Sequence, residues 1–164
     1  MPKTRKSWQE KLANSKGLPK VEKITDKMSK RWGTGTVVIP APKEVDAIMR
    51  KVPEGRLTTI NEIREKLAKK HGATIGCPMT TGIFAWIAAH AAAEVAAEGK
   101  QNITPYWRTL KSGGQVNEKY PGGSEAQAAR LREEGHIIEP DKGKKPPKVK
   151  DFEKHLVKLS VFIP

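Results

Sequence analysis

The segment from Met79 to Gly99 is rich in alanine and poor in charge. Apolar Ile83, Ile87 and Val95 recur at helical spacing, so the segment predicts one long helix. A helix with so few polar side chains is buried along its middle, and only its N-terminal end can face a ligand. This buried helix is the strongest constraint that the sequence places on the fold.

A second helix is predicted immediately before it, from Thr59 to His71. Thr59 and Glu62 fit a capping box at its start, and Gly72 provides a stop. The connection over residues 73–78 is short and contains a glycine. Two helices joined in this way have the outline of a helix-turn-helix.

Shorter elements surround this pair. Residues 36–39 are predicted to be extended and residues 43–51 to be helical. Residues 107–110 and 115–117 bracket a Lys-Ser-Gly-Gly turn, which predicts a small hairpin, here called the wing (residues 107–117). A last helix is predicted over residues 124–135, with Ser124 and Gln127 fitting a capping box. The predicted fold is α+β and mainly helical, a winged helix-turn-helix with basic N- and C-terminal extensions.

The charge of the chain indicates a polyanionic partner. Lys and Arg number 31 against 18 Asp and Glu, a formal net charge of +13. Each cation placed near a phosphate releases condensed counterions. We expect a basic N-terminal arm over residues 1–35, the winged helix-turn-helix domain over 36–140 and a basic C-terminal tail over 141–164. The arm is either a solvated, partly helical extension or a phosphate-contacting segment.

Several classes of protein are excluded by composition. The single cysteine, Cys77, permits neither an intrachain disulfide nor a cysteine-rich zinc site. No apolar run reaches the roughly 20 residues of a transmembrane helix. The charged N-terminus is not followed by the apolar region of a secretory signal. The Gly33-Thr34-Gly35 motif lacks the third glycine of a dinucleotide site. We expect a cytoplasmic protein without a cofactor, a bound metal or a membrane partner.

From Val52 to Ile138 the order of the motifs resembles the DNA-binding domain of the O6-alkylguanine-DNA alkyltransferase family. Residues 52–59 are similar to the lead-in to that family's first helix. The sequence Pro-Tyr-Trp-Arg at 105–108 stands where the family has Pro-Cys-His-Arg. Residues 120–123 resemble the loop that walls the alkyl pocket, and residues 131–136 resemble the closing helix with its Glu-Gly-His.

The departures from this pattern change the expected function. Tyr106 stands in place of the cysteine that accepts the alkyl group, and Trp107 in place of the histidine that activates it. Alkyl transfer needs a thiolate with a nearby proton acceptor, and a phenol is a poor substitute. The chain therefore resembles the alkyltransferase-like branch, whose members bind the lesion and recruit other repair machinery. This resemblance implies a non-enzymatic monomer whose partners are double-stranded DNA and other repair proteins.

The resemblance also implies a site in which a nucleotide is flipped out of the duplex. The residues expected to line the base pocket are Tyr106, Trp107, Arg108, Tyr120, Pro121, Gly122, Gly123 and Glu134. The residues expected to contact DNA, with the recognition helix in the minor groove, are Thr58, Thr59, Met79, Thr80, Thr81, Lys111, Ser112, Gly113 and Gly114. The family's arginine finger falls near Met79 here, where an apolar wedge is the remaining option.

Three alternatives stay open at the level of sequence. Tyr106 and Trp107 are either core aromatics or a stacking platform for a base. Cys77, at the mouth of the long helix, is either a buried thiol or a displaced nucleophile whose thiolate the helix dipole favours. The chain is either a lesion-binding protein or a general nucleic-acid-binding or regulatory protein in which the scaffold supplies shape and the extensions supply charge.

Overall fold

A computed structural model describes residues 7–15, 17–140 and 143–157. The remaining parts of the predicted arm and tail lie outside the described residues. Within the described ranges the chain is α+β and mainly helical, as predicted. The helices are α1 Trp8–Ala13, α2 Asp26–Trp32, α3 Pro42–Arg50, α4 Ile60–His71, α5 Pro78–Ala97 and α6 Gly123–Glu133. The strands are β1 Lys20–Lys23, β2 Thr36–Ile39, β3 Thr58–Thr59, β4 Ile75–Gly76, β5 Thr109–Leu110, β6 Ile138–Glu139 and β7 Lys148–Val149.

Helix α5 is the centre of the fold, and α1, α3 and α4 all pack against it. Pro78 occupies the first turn, where its missing N–H has no helical partner to lose. Ala85, Ala88 and Ala89 are fully buried in the main core. Their small side chains allow the neighbouring helix axes to approach closely. The predicted long helix with a buried middle is confirmed.

The helix-turn-helix outline is also present. The Thr59 hydroxyl accepts a hydrogen bond from the Glu62 amide at 3.3 Å and caps α4. Gly72 ends α4 in the left-handed conformation, at φ 65°. The connection to α5 contains β4, which pairs in parallel with β2. This pairing was not predicted from the sequence, because a strand of two residues carries no periodicity.

Part of the predicted N-terminal arm forms an ordered unit, here called the N-terminal lobe (residues 20–39). Strand β1 pairs antiparallel with β2, giving a sheet of order β1-β2-β4. Ile24 and Val37 are buried in a small second core together with Cys77, and the side chains of Met28 and Trp32 pack against it. The lobe is therefore joined to the residue that precedes α5.

The wing differs from the predicted hairpin. Its turn is present, since the Lys111 amide donates to the Gln115 carbonyl at 2.9 Å. However, β5 pairs in parallel with β3. On the other side of the turn, the Val116 amide donates to the Pro147 carbonyl at 2.9 Å, and the Val149 amide donates to the Gly114 carbonyl at 3.0 Å. The second side of the wing is thus completed by a distant segment rather than by β5.

That segment belongs to the predicted basic tail, and residues 143–157 pack on the body of the protein. Val149 and Phe152 are buried in the main core. The Leu57 amide donates to the His155 carbonyl, and the Val157 amide donates to the Leu57 carbonyl, both at 2.9 Å. Apart from its basic surface, this part of the tail is therefore structural.

Replacing Gly114 by alanine should test the contact between the wing and the tail. Gly114 has φ +87°, and a Cβ there would lie 2.3 Å from Cδ1 of Phe152. Gly99 has the same φ with open space around it. We expect Gly99→Ala to cost about 1–2 kcal/mol for the backbone conformation alone. Gly114→Ala should cost about 1–3 kcal/mol more because the ring must move. Urea denaturation measures both, and equal losses would contradict the assigned contact.

Candidate nucleic-acid interface

The carboxylate of Glu134 ties together the elements around the predicted base pocket. The Trp107 indole Nε1 donates to its Oε2 at 2.7 Å, and Nη2 of Arg108 donates to the same oxygen at 2.9 Å. The Gly55 amide donates to Oε1 at 3.1 Å. Arg108 also donates through Nη1 to the Val52 carbonyl at 2.8 Å. One carboxylate at the end of α6 thereby fixes the turn before β3 and the 3-10 helix Tyr106–Arg108.

These bonds determine the charge state of Glu134. Burial alone would raise the pKa of this carboxyl group, because it disfavours the charged form. Hydrogen bonds from Arg108, Trp107 and the Gly55 amide outweigh burial, and the net pKa is lowered. The group is therefore a carboxylate at neutral pH, and it holds the Arg108 guanidinium as a mostly buried ion pair.

The aromatic residues of the predicted pocket form one cluster. The Tyr106 ring packs edge-on against Trp107 and Tyr120, with centroid separations of 5.3 and 5.9 Å. All three side chains are largely buried. The exposed Arg130 places its guanidinium 4.2 Å from the centroid of the Trp107 ring. Burial raises the pKa of the Tyr120 phenol, which therefore stays protonated.

The loop between Tyr120 and α6 contains the other predicted pocket residues. Gly122 and Gly123 both have positive φ, of 80° and 77°, and the Gly123 amide donates to the Tyr120 carbonyl at 2.9 Å. Pro121 is half-buried between them and Tyr120. The turn conformation therefore requires the two glycines, and it brings the loop back to the aromatic cluster.

The predicted capping box of the last helix was wrong. Gly122, not Ser124, is the N-cap of α6. The Gln127 side chain is buried, where its Oε1 accepts from the Asn117 amide at 2.6 Å and its Nε2 donates to the Trp107 carbonyl at 3.1 Å. Gln127 thus joins the wing to the aromatic cluster. This buried role of Gln127 was not predicted from the sequence, because a serine followed three residues later by a glutamine also matches the pattern of a capping box.

A second set of contacts holds the loop at Lys119. The Lys119 carbonyl accepts hydrogen bonds from Trp86 Nε1 at 3.1 Å and His90 Nε2 at 2.9 Å. Trp8 of α1 stacks on the His90 ring at 4.5 Å and packs edge-on to Trp86 at 4.7 Å. The Trp8 amide in turn donates to Glu94 at 3.1 Å. Helix α1 therefore braces the two donors that position this loop.

The start of α5 presents an apolar surface to solvent. Met79 is 65% exposed and Ile83, one turn later, is 44% exposed. Thr80 is half-buried and Thr81 is fully buried. The sequence identified Met79 as a contact residue but not Ile83, because helical spacing assigned Ile83 to the buried face.

The other predicted DNA-contacting residues lie in mixed surroundings. Thr58 and Thr59 are buried, and Thr59 serves as the α4 cap. In the wing, Ser112 and Gly113 are exposed and Gly114 is buried. The Lys111 ammonium group forms an ion pair with Glu118 at 2.8 Å. The two threonines are therefore part of the core beneath this surface. In the wing, the exposed part is the turn at Ser112 and Gly113.

Cys77 is the N-cap residue of α5 and is buried between the N-terminal lobe and the helix. Its surroundings are apolar, with Ile24 and Val37 as core neighbours. Within residues 7–15, 17–140 and 143–157, no cluster of histidine, cysteine or acidic side chains could hold a metal ion. No helix in these ranges is long and apolar enough to cross a membrane.

No protein-family model and no curated protein matches this sequence. Solved structures do match the fold. The structure of S. pombe Atl1 in complex with damaged DNA containing O6-carboxymethylguanine aligns with 71% of this chain and 94% of its own, at 21% identity and a TM-score of 0.51. A structure of S. pombe ATL in complex with DNA has the same coverage, at 20% identity and a TM-score of 0.50.

The chain has the alkyltransferase-like fold. The resemblance inferred from residues 52–138 therefore extends to the three-dimensional structure. The alkyltransferase-like fold covers nearly all of the Atl1 chain but leaves more than a quarter of this chain unmatched.

Replacing Glu134 by glutamine should remove a pH-dependent part of the stability. Because the folded-state pKa is lowered, the carboxylate stabilises the fold above its unfolded pKa of about 4.3, and this contribution is lost as the pH falls through the folded pKa. We expect Glu134→Gln to cost about 2–4 kcal/mol at pH 7, since Arg108 loses its partner.

Urea denaturation between pH 7 and pH 3 measures this difference. The gap between the wild type and Glu134→Gln should narrow below about pH 4. The exposed neighbour Glu133 supplies the control, Glu133→Gln, which should change the stability by less than about 0.5 kcal/mol. If the difference in the free energy of unfolding between the wild type and Glu134→Gln stayed constant with pH, the charge of the carboxylate would not be what stabilises these contacts.

Proposed function

We propose that this protein binds duplex DNA and recognises alkylated bases of the O6-alkylguanine type by holding the flipped nucleotide. The observation that carries the proposal is the fold shared with 94% of the Atl1 chain, which was solved on DNA containing O6-carboxymethylguanine. The net charge of +13 supports a phosphate-rich partner. The chain does not remove the lesion, so the complex serves as a signal to other repair proteins.

The proposal excludes alkyl transfer on chemical grounds. A transfer reaction needs an accessible thiolate beside the alkyl group. Tyr106 stands in the acceptor position and its ring is packed against Trp107 and Tyr120. The thiol of Cys77 is buried elsewhere in the fold, where Cys77 is the N-cap residue of α5. Mass spectrometry after incubation with alkylated DNA should find no alkyl mass on the protein.

Trp107 is the residue against which we place the extruded base. Its indole is oriented by Glu134, and its ring face already carries the exposed Arg130 guanidinium at 4.2 Å. A base that enters the site would displace this guanidinium and stack on the same ring. Base–aromatic stacking contributes about 1–3 kcal/mol. Arg130 would then be free to contact a phosphate.

Met79 and Ile83 supply the apolar wedge that the duplex needs where a nucleotide has left the stack. They are exposed and lie one turn apart, within the first two turns of α5. Their side chains would replace lost base stacking with apolar contact. This assignment extends the predicted role of Met79 to a second residue.

The first test is a competition titration of one duplex with and without a single O6-methylguanine, at about 0.15 M salt. We expect a preference of about tenfold or more for the lesion, equivalent to about 1.4 kcal/mol. Equal affinity for both duplexes would contradict lesion recognition and would favour a general DNA-binding protein with this scaffold.

Met79→Ala should weaken binding to the lesion duplex by about tenfold, and adding Ile83→Ala should weaken it further, because the wedge is lost. Both sites are exposed in the first two turns of a helix, so the free energy of unfolding should change by less than about 0.5 kcal/mol. Ile137→Ala is a matched control, since Ile137 is 63% exposed and lies after α6. Equal losses in Met79→Ala and Ile137→Ala would contradict the wedge.

A further inference from the structure

Helix α2 of the N-terminal lobe has two distinct sides. Met28 and Trp32, spaced i and i+4, pack on the small core formed by Ile24, Val37 and Cys77. This packing fixes the rotation of the helix about its axis. The side chains on its other side must therefore point away from the sheet.

That other side is positively charged. Lys27, Lys30 and Arg31, spaced i, i+3 and i+4, are exposed. Together with Met28 they line an open groove of about 500 Å³. None of the three cations forms an ion pair with the described residues. With three cations against one acid, Asp26, helix α2 carries a net charge of +2.

Helix α2 is linked to the start of α5 through the small core. Val38 of β2 pairs with Gly76 of β4, and the next residue, Cys77, caps α5. Cys77 shares its core with Met28 of α2. The three cations are thus carried on a helix that shares a core with Cys77, two residues before the exposed Met79.

We propose that Lys27, Lys30 and Arg31 bind the phosphodiester backbone of duplex DNA, beside the nucleotide approached by the start of α5. This inference rests on the proposed DNA binding, and it extends the contact surface to one side of the lesion. The cations share a helix face, so they can follow successive phosphates of one strand. The contact is independent of base identity and therefore strengthens binding to damaged and undamaged duplex alike.

The test is a salt titration of binding for the triple variant Lys27→Gln, Lys30→Gln and Arg31→Gln. Lysine, arginine and glutamine have similar helix propensities, so α2 should stay folded. The slope of log affinity against log salt should become shallower by about 3, one for each phosphate contact. The ratio of affinities for lesion and undamaged duplex should not change. Charge-conserving Lys27→Arg, Lys30→Arg and Arg31→Lys should retain the wild-type slope.

The matched control removes the same charges elsewhere, with Lys43→Gln, Arg50→Gln and Lys100→Gln. These exposed residues lie outside the N-terminal lobe. Lys43 and Arg50 are on α3, and Lys100 follows α5, about 30 Å along that helix from its start. The control should alter the slope by less than about 1. Equal changes in the two triple variants, or a wild-type slope in the α2 variant, would overturn the proposal.

Failure of the proposed function gives a different result. If wild-type protein binds both duplexes equally, lesion recognition is overturned. A shallower slope specific to the α2 variant would still support the phosphate contact on undamaged DNA. If the wild-type protein binds no duplex at all, both proposals are overturned together.

Discussion

The packing of three helices against the alanine-rich side of α5 is the constraint on which the rest of the structure depends. Side chains as small as Ala85 and Ala89 let α1, α3 and α4 approach, and the apolar burial so gained fixes the helix in the centre. With its middle enclosed, α5 exposes apolar side chains at its start. The surface proposed to enter DNA is therefore a consequence of how the core is filled.

The pocket region depends on polar contacts instead. Glu134 carries a charge inside the protein, which is costly unless it is paired and hydrogen-bonded. Trp107, Arg108 and the Gly55 amide meet that requirement. The same bonds hold the Trp107 indole in a fixed orientation. A ring that is held in place is better suited to stack on a base than a mobile aromatic side chain is. Buried Gln127 performs a similar task for the backbone of the wing.

Local signals made α4 and α5 predictable, whereas α1 and α2 were not predicted as separate helices. The Thr59 cap, the Gly72 stop and Pro78 act within a few residues, and α4 and α5 begin and end close to the predicted positions. The parallel pairing of β2 with β4 and the buried role of Gln127 depend on residues far apart in sequence, so no local pattern reports them. In the candidate site, the resemblance indicated Tyr106, Trp107 and Glu134 as a group. The exposure of Ile83 and the contact of Arg130 with the Trp107 ring depend on tertiary packing, so neither has a local sequence signal.

The pairing of the wing and of Leu57 with residues 147–157 has a consequence for synthesis on the ribosome. The Leu57 amide and carbonyl find their partners about 100 residues later in the chain, so that closure carries a large entropy cost and comes late. The N-terminal lobe, by contrast, needs no residue beyond Cys77 for its sheet and small core. A nascent chain would hence have its α2 cations in place while the Leu57 amide and carbonyl still lacked their partners at His155 and Val157. Ribosomal RNA is the first phosphate backbone that such a chain meets.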